Sequence, residues 1–476
     1  MVDQLAAELI ANPTDVQAVT AQTYRTLNPA TGELVKVFPT ATDAEAEALL
    51  SHAHEAFLAW KAVPLAGRIE RLRRLSEIWS ANIDRIARQV TTEMGKPYGQ
   101  AVYEASLPLE MFRYYLENAE TFLADTPVEI AGFSRVYTRR EPIGVVLAIE
   151  PWNGPMYQAI RAAAPNIMLG NAIIVKPAEI TVGSTLIIDE LFAEAGFPPA
   201  LFQTGVLSRD QVSRYIEDPR IRALTLTGSD RAGAAVAEQA GRNIKPIVLE
   251  LGGSDAFIVL DSADVDVAAG TAAVCRLALG GQVCVSPKRI IVTEGVADEF
   301  TERFVAAFSS QVIGDPFDPG TTLGPLSNMA AAEALQAQYD DAIAKGAIEL
   351  LPGGRLPGAG AFFKPAVLTG ITPAMRLYHE EAFGPIGIVF RVKDADAAIV
   401  IANDTRYGLG GTVYGKDLDE ANRVAKALDT GMVGINQYLG APVEIPFGGT
   451  KASGVGRELG SLGMDAFANI KTYAIG

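Results

Sequence analysis

A cysteine in a glycine-rich turn is the first residue of this sequence that could carry nucleophilic chemistry. Cys284 follows Gly280-Gly281 and precedes Pro287 and an apolar run, residues 290–292, that predicts a strand. A cysteine on a loop between regular elements is placed to react, although a free cysteine is more often a small buried hydrophobe. Partners elsewhere in the chain decide between these two hypotheses, because a thiol nucleophile needs a base and a group that stabilises an oxyanion.

A carboxylate and a side-chain amide are candidates for those partners. Glu250 ends the apolar run 247–249 and precedes Gly252-Gly253, which remove steric cover. An apolar setting disfavours the charged form, which would raise the pKa of Glu250 and suit it to act as a base near neutral pH. The alternative is a glutamate satisfied by nearby backbone amides. Asn153 lies in the rigid turn 150–155, and its amide N–H can stabilise an oxyanion, unless this stretch is a plain turn.

Two strand ends carry residue types that suit a nucleotide, although no Gly-x-Gly-x-x-Gly fingerprint occurs in the sequence. Gly228 would let a ligand approach the backbone, and Ser229 would cap a helix and hold a phosphate oxygen; an ordinary capped turn is the alternative. Glu179, three residues after Lys176, would accept both ribose hydroxyls and repel a 2′-phosphate. This pattern favours NAD over NADP, and a surface Lys–Glu pair is the alternative.

Composition excludes several classes of protein. The chain has 476 residues, 49% of them hydrophobic and 20% charged, which is ordinary for a soluble globular protein of roughly two to four domains. A net charge of −16 argues against a nucleic-acid partner. No apolar run approaches a membrane span, and Asp3 stands where a secretory signal would carry a base, so we expect a cytoplasmic protein without a membrane. Two cysteines and three histidines provide neither a disulfide framework nor a structural metal site, so a carboxylate base is favoured.

The periodicity predicts an α/β protein. Apolar residues at helical spacing predict helices across 42–94 and 101–124, and an alternating stretch, 128–140, predicts a hairpin-like piece. Short apolar runs, among them 172–176 and 432–435, then alternate with helical stretches such as 155–169, from 143 to 251 and again from 256 to 435. This βαβ rhythm predicts two sets of doubly wound parallel strands that meet near residue 251.

Taken together, these motifs resemble the aldehyde dehydrogenase superfamily, over almost the whole chain from Asn28 onward. Seven stretches stand in the family's order and approximate spacing: Pro151-Trp152-Asn153, Lys176-Pro177-Ala178-Glu179, Thr227-Gly228-Ser229, Glu250-Leu251-Gly252-Gly253, Gly281-Gln282-Val283-Cys284, Glu381-Ala382-Phe383-Gly384-Pro385 and Pro446-Phe447-Gly448-Gly449.

The resemblance implies an aldehyde dehydrogenase-like α/β fold, with two doubly wound parallel-sheet domains and a small β oligomerisation element. An NAD-binding domain would comprise 1–123 and 141–250, and a catalytic domain 251–445. Residues 124–140 and 446–476 would form the oligomerisation element and C-terminal tail, so a homodimer or homotetramer is expected. By the same resemblance, Cys284 attacks the aldehyde, Asn153 and the Cys284 N–H hold the oxyanion, and hydride passes to NAD.

The resemblance also implies that Glu250 activates the water that releases the acid from the Cys284 thioester. No metal takes part. The cofactor contacts implied are Trp152, Lys176, Glu179, Gly228, Ser229, Leu251, Glu381 and Phe383.

Several positions depart from the family pattern and bear on the substrate. Gly154 replaces a common phenylalanine, which should widen the substrate tunnel, where Phe447 is also expected. Arg161 matches an arginine with which succinate-semialdehyde dehydrogenases meet the substrate carboxylate, and the chain looks closest to NAD-dependent members of that branch. The alternative is that Arg161 is a solvated charge on the surface of a helix. Ala162 replaces a common lysine, which puts in doubt any proton relay that pairs it with Glu458.

Other functions stay open at this point. Two further clamp positions are Ala278 and Ala441, so succinic semialdehyde competes with bulky or aromatic neutral aldehydes as the expected substrate. A CoA-acylating enzyme would pass the thioester to CoA rather than to water, and Glu250 argues for water. A catalytically silent protein that retains the fold is the alternative of a different class.

Overall fold

The computed structural model describes residues 23–476, so the N-terminal residues on which the expected lack of a signal sequence depends lie outside its description. The helices are α1 (Asp43–Trp60), α2 (Leu65–Ala81), α3 (Ile83–Met94), α4 (Tyr98–Leu123), α5 (Pro155–Leu169), α6 (Val182–Glu194), α7 (Arg209–Glu217), α8 (Asp230–Arg242), α9 (Val265–Leu277), α10 (Ala297–Ser309), α11 (Met329–Ala344), α12 (Arg376–His379), α13 (Ala395–Asn403), α14 (Leu418–Lys426) and α15 (Leu462–Asp465). The strands are β1 (Thr23–Leu27), β2 (Leu34–Pro39), β3 (Thr126–Pro127), β4 (Arg135–Pro142), β5 (Val145–Ile149), β6 (Ala172–Lys176), β7 (Phe202–Thr204), β8 (Ile221–Thr227), β9 (Ile247–Glu250), β10 (Asp255–Val259), β11 (Pro287–Thr293), β12 (Ile348–Leu351), β13 (Gly354–Arg355), β14 (Phe363–Lys364), β15 (Ala366–Thr369), β16 (Ile386–Val392), β17 (Tyr407–Gly408), β18 (Gly410–Tyr414), β19 (Met432–Ile435), β20 (Thr450–Lys451), β21 (Gly454–Val455) and β22 (Ala468–Ile475).

The first sheet has the strand order β21-β9-β8-β5-β6-β7 and is parallel except for β21. Its central strands are apolar runs with helices on their faces, which is the pattern of a parallel sheet buried on both sides. Strands β5, β8 and β9 are neighbours and end at the same edge, with Ile149 opposite Leu226 and Thr227 opposite Glu250. Residues that follow these strands are therefore brought together at this edge.

The second sheet has the order β12-β15-β16-β11-β10-β18-β19, and only β12 runs antiparallel to its neighbour. Strand β11 lies between β10 and β16 and is buried along its whole length. Cys284 lies in the loop that leads into β11, after a short 3-10 helix, Ala278–Gly281. The sheets confirm the predicted α/β fold with doubly wound parallel strands.

A third sheet joins β22, β4 and β3 in antiparallel order. Its chief pairing is between β4 and the C-terminal β22, so the predicted hairpin-like piece is completed by distant residues. Apolar side chains are exposed on this sheet and in the loop before β4, among them Ile470, Ile475, Ile130 and Phe133.

The sequence patterns missed one αβ pair, β7 and α7. Strand β7 is only three residues long, which is too short for a periodic signal. Helix α7 begins with a capping box in which Ser208 and Gln211 bond each other's backbone, a signal present in the sequence but not recognised. Within residues 23–476, no helix is long and apolar enough to span a membrane, and no cluster of three His, Cys, Asp or Glu side chains is arranged to hold a metal.

Candidate active site

Two buried cations fix the loop that carries Cys284. Arg276, at the end of α9, donates to the carbonyl oxygens of Gly281 at 3.1 Å and Ile386 at 2.8 Å and to Ser286 Oγ at 2.7 Å. Lys288, four residues after the cysteine, donates to the carbonyl oxygen of Cys284 at 2.6 Å. Cys284 is half-buried, and these hydrogen bonds hold its loop in place.

Asn153 reaches the cysteine loop from the opposite side of the crevice. Its Nδ2 donates to the carbonyl oxygen of Gln282 at 3.1 Å, two residues before Cys284. The backbone of Asn153 is held in turn by Lys96, whose Nζ donates to its carbonyl oxygen at 2.7 Å and also pairs with Glu104. The predicted oxyanion group therefore lies beside the predicted nucleophile.

Glu250 lies close to the Cys284 loop, because glycines let the segments that carry these two residues approach each other. A Cβ on Gly253 would lie 2.7 Å from the carbonyl oxygen of Cys284, and one on Gly448 would lie 2.7 Å from Glu250 Oε1. Neither carboxylate oxygen of Glu250 accepts a hydrogen bond from the part of the chain that the structure describes. The alternative in which backbone amides satisfy Glu250 is therefore wrong.

A cluster of buried carboxylates surrounds one guanidinium beneath Glu250. Arg161 Nε forms an ion pair with Glu458 Oε2 at 2.5 Å, and Arg161 Nη2 donates to Thr227 Oγ1 at 2.9 Å. Glu458 also accepts from Thr225 Oγ1 at 2.9 Å. Arg161 and Glu458 are both buried, so the interpretation of Arg161 as a solvated helix charge is wrong.

Glu150 is the third carboxylate of this cluster. Glu150 directly follows β5, and Thr227 is the last residue of the neighbouring strand β8. Glu150 is 5% exposed. Burial raises the pKa of Glu150 well above its usual range, and the nearby Glu458 raises it further. One guanidinium cannot neutralise three ionised carboxylates in a buried cluster, so protons must be retained there near neutral pH.

Burial disfavours the charged forms of both the Cys284 thiol and the Glu250 carboxyl group. Burial raises the pKa of the Cys284 thiol to about 11, opposed by Lys288 and Arg161. Burial also raises the pKa of Glu250 well above its usual range, Glu458 adds to the rise, and Arg161 opposes it. A carboxyl group with a raised pKa can accept and return a proton near neutral pH.

Trp152, which the resemblance places around the phosphates, lies next to Phe383, which it places with Glu381 around the nicotinamide ribose. The rings of Trp152 and Phe383 are 5.6 Å apart and edge to face. Glu381 Oε1 accepts from the Gly253 N–H at 3.2 Å, and a Cβ on Gly252 would lie 2.5 Å from its second oxygen. Glu381 therefore borders the turn that follows Glu250.

The residues predicted around the phosphates lie where β8 meets α8. Ser229 Oγ accepts from the Ala232 N–H at 3.3 Å, which confirms the predicted helix cap. The nearest atom to a Cβ on Gly228 would be 3.6 Å away, so a ligand has room to approach the backbone. Leu251, which the resemblance places near the nicotinamide, packs against Gly233 of α8, where a Cβ would lie 2.6 Å from its side chain.

Lys176 and Glu179 lie at the end of β6, as expected. The ammonium of Lys176 lies 5.1 Å from the centre of the Tyr24 ring, and burial lowers the pKa of Lys176. Glu179 is exposed, and so is Arg209 at the start of α7, whose charge acts on both Lys176 and Tyr24. This end of the crevice therefore offers two cations and one carboxylate to a ligand.

Gly154 and Phe447 flank the crevice near Asn153 and Arg161. A Cβ on Gly154 would meet no atom closer than 3.7 Å, so the position has room for a larger side chain. The guanidinium of Arg161 lies 5.0 Å from the centre of the buried Phe447 ring. Arg161 is thus near the predicted substrate site, but its charge is already paired with Glu458.

Four buried supporting residues were not found by sequence reasoning, namely Lys96, Glu104, Arg276 and Lys288. Glu104 and Arg276 lie on helices and Lys288 on the apolar strand β11, where a charged residue is a signal of a buried pair, whereas Lys96 lies in the turn between α3 and α4. What each one binds could not be predicted, because the acceptors lie far away in the chain. Together, the arrangement offers a thiol nucleophile, an oxyanion donor and a buried carboxylate base around one crevice.

Comparison with known proteins shows which proteins share this arrangement. The family model described as the aldehyde dehydrogenase family matches residues 16–473. The chain is 46% identical over 448 residues to a protein of Deinococcus radiodurans named succinate-semialdehyde dehydrogenase (NADP(+)), covering 94% of each chain. A Mycobacterium avium protein with the same name is 44% identical over 454 residues, covering 95% of this chain and 96% of that protein.

Solved structures give the same result. The crystal structure of succinic semialdehyde dehydrogenase from Streptococcus pyogenes, in complex with NADP+ as the cofactor, superposes with a TM-score of 0.93 at 39% identity, covering 95% of this chain and 99% of that chain. A structure of Gox0499, described as giving insight into cofactor and substrate selection, superposes with a TM-score of 0.94 at 40% identity, covering 96% of this chain and 100% of that chain.

Proposed function

Since the chain belongs to the aldehyde dehydrogenase family, we propose that it oxidises succinic semialdehyde to succinate, with NAD as the hydride acceptor. The observation that carries the proposal is that the segments bearing Cys284, Asn153 and Glu250 lie against one another. Asn153 Nδ2 lies 3.1 Å from the Gln282 carbonyl oxygen, and a Cβ on Gly253 would lie 2.7 Å from the Cys284 carbonyl oxygen.

In the proposed mechanism, the deprotonated Cys284 sulfur bonds to the aldehyde carbon. The Asn153 amide and the backbone N–H of Cys284 donate to the resulting oxyanion. The residues at the strand ends would hold a nicotinamide cofactor, which would supply the oxidation by taking hydride from that carbon, so that a thioester would remain on Cys284. Glu250 then takes a proton from the water that attacks the thioester, the acid leaves, and the thiol is restored.

Two observations support the binding of a dinucleotide at the strand ends. Gly228 leaves open space above the backbone, and the exposed Ser229 begins α8, a helix of 13 residues whose N-terminal amides favour an anion. Glu381 has one carboxylate oxygen next to Gly252 and precedes Phe383 by two residues. We propose that the first group holds the phosphates and the second the nicotinamide ribose.

The choice of NAD over NADP rests on Glu179. Its carboxylate would repel a 2′-phosphate, whereas Lys176 and Arg209 at the same end of the crevice would attract one. Relatives named for NADP(+) make the phosphorylated cofactor the second candidate. Comparison of kcat/KM for the two cofactors tests the choice. We expect a preference for NAD that falls about tenfold in Glu179→Ser, and a wild-type preference for NADP would contradict it.

The choice of substrate rests on Arg161 and on the names of the relatives. Its guanidinium pairs with Glu458, so a substrate carboxylate would have to share it. The test compares kcat/KM for succinic semialdehyde and for butanal, which lacks the carboxylate. We expect a preference for succinic semialdehyde that collapses in Arg161→Gln.

Two other outcomes of this experiment would reject the substrate assignment. Equal losses for both aldehydes in Arg161→Gln would limit Arg161 to supporting the carboxylate cluster. A preference for bulky or aromatic neutral aldehydes would indicate that Gly154, rather than Arg161, determines the choice of substrate. Gly154→Phe would then remove activity on the bulky substrates first.

Transfer of the thioester to CoA is the remaining alternative. Glu250 favours water as the acceptor, since a buried carboxylate without a hydrogen-bond donor can take a proton. Product analysis with and without CoA distinguishes the two. Acyl-CoA formation that speeds turnover, together with an undiminished rate in Glu250→Gln, would favour the CoA-acylating enzyme.

We also propose a homodimer or homotetramer that assembles through the third sheet. Its exposed apolar residues, including Ile470 and Ile475, suit an interface between copies. Sedimentation that shows only a monomer would contradict this. The division into domains 1–123 with 141–250 and 251–445, and the cytoplasmic location, stay predictions.

A further inference from the structure

Lys288 uses all of its hydrogen-bonding capacity on two segments of the active site. Its side chain is 1% exposed. Its ammonium donates to the carbonyl oxygens of Val283 at 2.7 Å and Cys284 at 2.6 Å, and it lies 2.9 Å from Glu381 Oε1. An ammonium has three N–H donors, so these three acceptors saturate it.

The three acceptors belong to parts of the site with different roles. Two are carbonyl oxygens of the loop that holds the nucleophile. The third is Glu381, whose side chain is 17% exposed and whose second oxygen lies beside Gly252. Lys288 is therefore the direct link between the nucleophile loop and the carboxylate that we assign to the nicotinamide ribose.

Of the charged groups that act on the pKa of the Cys284 thiol, Lys288 is the one whose effect a bound ligand can alter. Lys288 is the strongest charge that favours the thiolate, followed by Arg161, whose own charge is occupied by Glu458. The Lys288 charge is opposed by Glu381 at 2.9 Å, so a ligand that engages Glu381 changes the balance. The other titratable groups that face the thiol are Asp255, Tyr157 and Tyr438.

We infer that Lys288 is a positioning residue that makes the reactivity of Cys284 respond to occupancy of Glu381 by the cofactor. This inference rests on the proposed function, because it takes Glu381 as the acceptor of ribose hydroxyls. When those hydroxyls bond Glu381, its pairing with Lys288 weakens and more of the ammonium field acts on the thiol. Cofactor binding thereby favours the thiolate, which is the reactive form.

The test measures alkylation of Cys284 by iodoacetamide in the absence of aldehyde. The two cysteines of the chain are Cys275 and Cys284, so the Cys275→Ala background leaves one thiol. Alkylation rates are followed by mass spectrometry from about pH 6 to about pH 10, with and without NAD or NADP. With Lys288 present, we expect cofactor to speed alkylation at about pH 8 by about tenfold, as a fall of one unit in the thiol pKa would do.

Two variants at Lys288 test its role. Lys288→Met should slow alkylation of the free protein and abolish the cofactor-dependent gain, and Lys288→Arg should retain part of it because the charge remains. Retention of the full cofactor-dependent gain in Lys288→Met would overturn the inference.

A third variant keeps the inference falsifiable if Lys288→Met does not fold. Glu381→Gln removes the opposing charge, so the free protein should already react faster and cofactor should add nothing. Unchanged alkylation in Glu381→Gln would overturn the inference as well.

Quenching of tryptophan fluorescence by the cofactor separates this inference from the proposed function. If wild-type protein binds neither NAD nor NADP, the proposed function fails. If it binds either one while Lys288→Met responds as the wild type does, only the role of Lys288 fails.

Discussion

The two sides of the crevice bury charge in opposite ways. Around Cys284, the cations Lys288 and Arg276 direct their donors at carbonyl oxygens of the loop, so donors are in surplus. Around Glu250, acceptors are in surplus, because three buried carboxylates surround the Arg161 guanidinium, and Arg457 is the other cation that acts on Glu250. The nucleophile is therefore held in position by hydrogen bonds, whereas the state of the base is set by burial and by its charged neighbours.

This difference assigns separate tasks to the two sides. A fixed loop keeps the Cys284 segment against the Asn153 amide, which donates to the Gln282 carbonyl oxygen, and a side-chain amide near the sulfur suits a tetrahedral oxyanion. A carboxyl group without hydrogen-bond donors changes its protonation easily, which hydrolysis of the thioester requires. The comparison predicts that changes on the two sides affect different steps of the reaction.

The largest expected effect is at the nucleophile. Cys284→Ala should lower the rate of aldehyde oxidation by about 10⁴-fold or more, because no covalent adduct can form. Cofactor binding, measured by fluorescence quenching, should change little. Cys275→Ala is the matched control and should behave as the wild type, since Cys275 lies on α9. Substantial oxidation by Cys284→Ala would remove this residue from its role.

Replacement of the base should affect the second half of the reaction. Glu250→Gln should lower steady-state turnover by about 10²–10⁴-fold while a burst of one NADH per subunit persists, because the thioester still forms. Rapid-mixing absorbance measurements distinguish the two phases. Loss of the burst would show that Glu250 is needed before hydrolysis.

The pH dependence of the wild type follows from the raised pKa of Glu250. The base works only when deprotonated, so hydrolysis should slow as pH falls through the raised pKa and recover above it. Within that range, Glu250→Gln should show a flatter profile. An identical pH profile in the two proteins would contradict the assignment of the base.

Removal of the Arg161 guanidinium should destabilise the carboxylate cluster around Glu250 without changing the position of Cys284. Arg161→Met leaves Glu458 buried without its ion pair, so the free energy of unfolding should fall by about 3–5 kcal/mol. Urea denaturation measures this, with Arg161→Lys as the control that keeps a charge and loses less. An unchanged stability in Arg161→Met would show that protonation already neutralises the cluster.

The smallest expected effect is at Glu150. Its pKa is higher in the folded than in the unfolded chain, so the folded state binds more protons and stability falls as pH rises between the two values. Glu150→Gln removes this loss and should be more stable than the wild type at about pH 8, by about 1–3 kcal/mol. Unfolding measured at several pH values checks the sign, and equal pH dependence in both proteins would contradict it.

Local patterns in the sequence were sufficient for most of the fold. The strands 172–176 and 432–435 and the helix 155–169 have the bounds that periodicity predicted, because apolar runs buried on both faces and a proline-led helix are local signals. The three-residue β7 escaped prediction, and the association of the C-terminal β22 with residues 124–140 came from the family resemblance alone. Short strands and pairings between distant segments leave no periodic signal.

The sequence by itself determined the chemistry on offer: one loop cysteine, one carboxylate after an apolar strand, one amide in a rigid turn, and a family resemblance that joined them. Tertiary structure alone decided how their charges are paired. The ion pair of Arg161 with Glu458 and the link from Lys288 to Glu381 join residues far apart in the chain. Such contacts depend on how two sheets and their loops pack, and burial then sets which groups keep their protons.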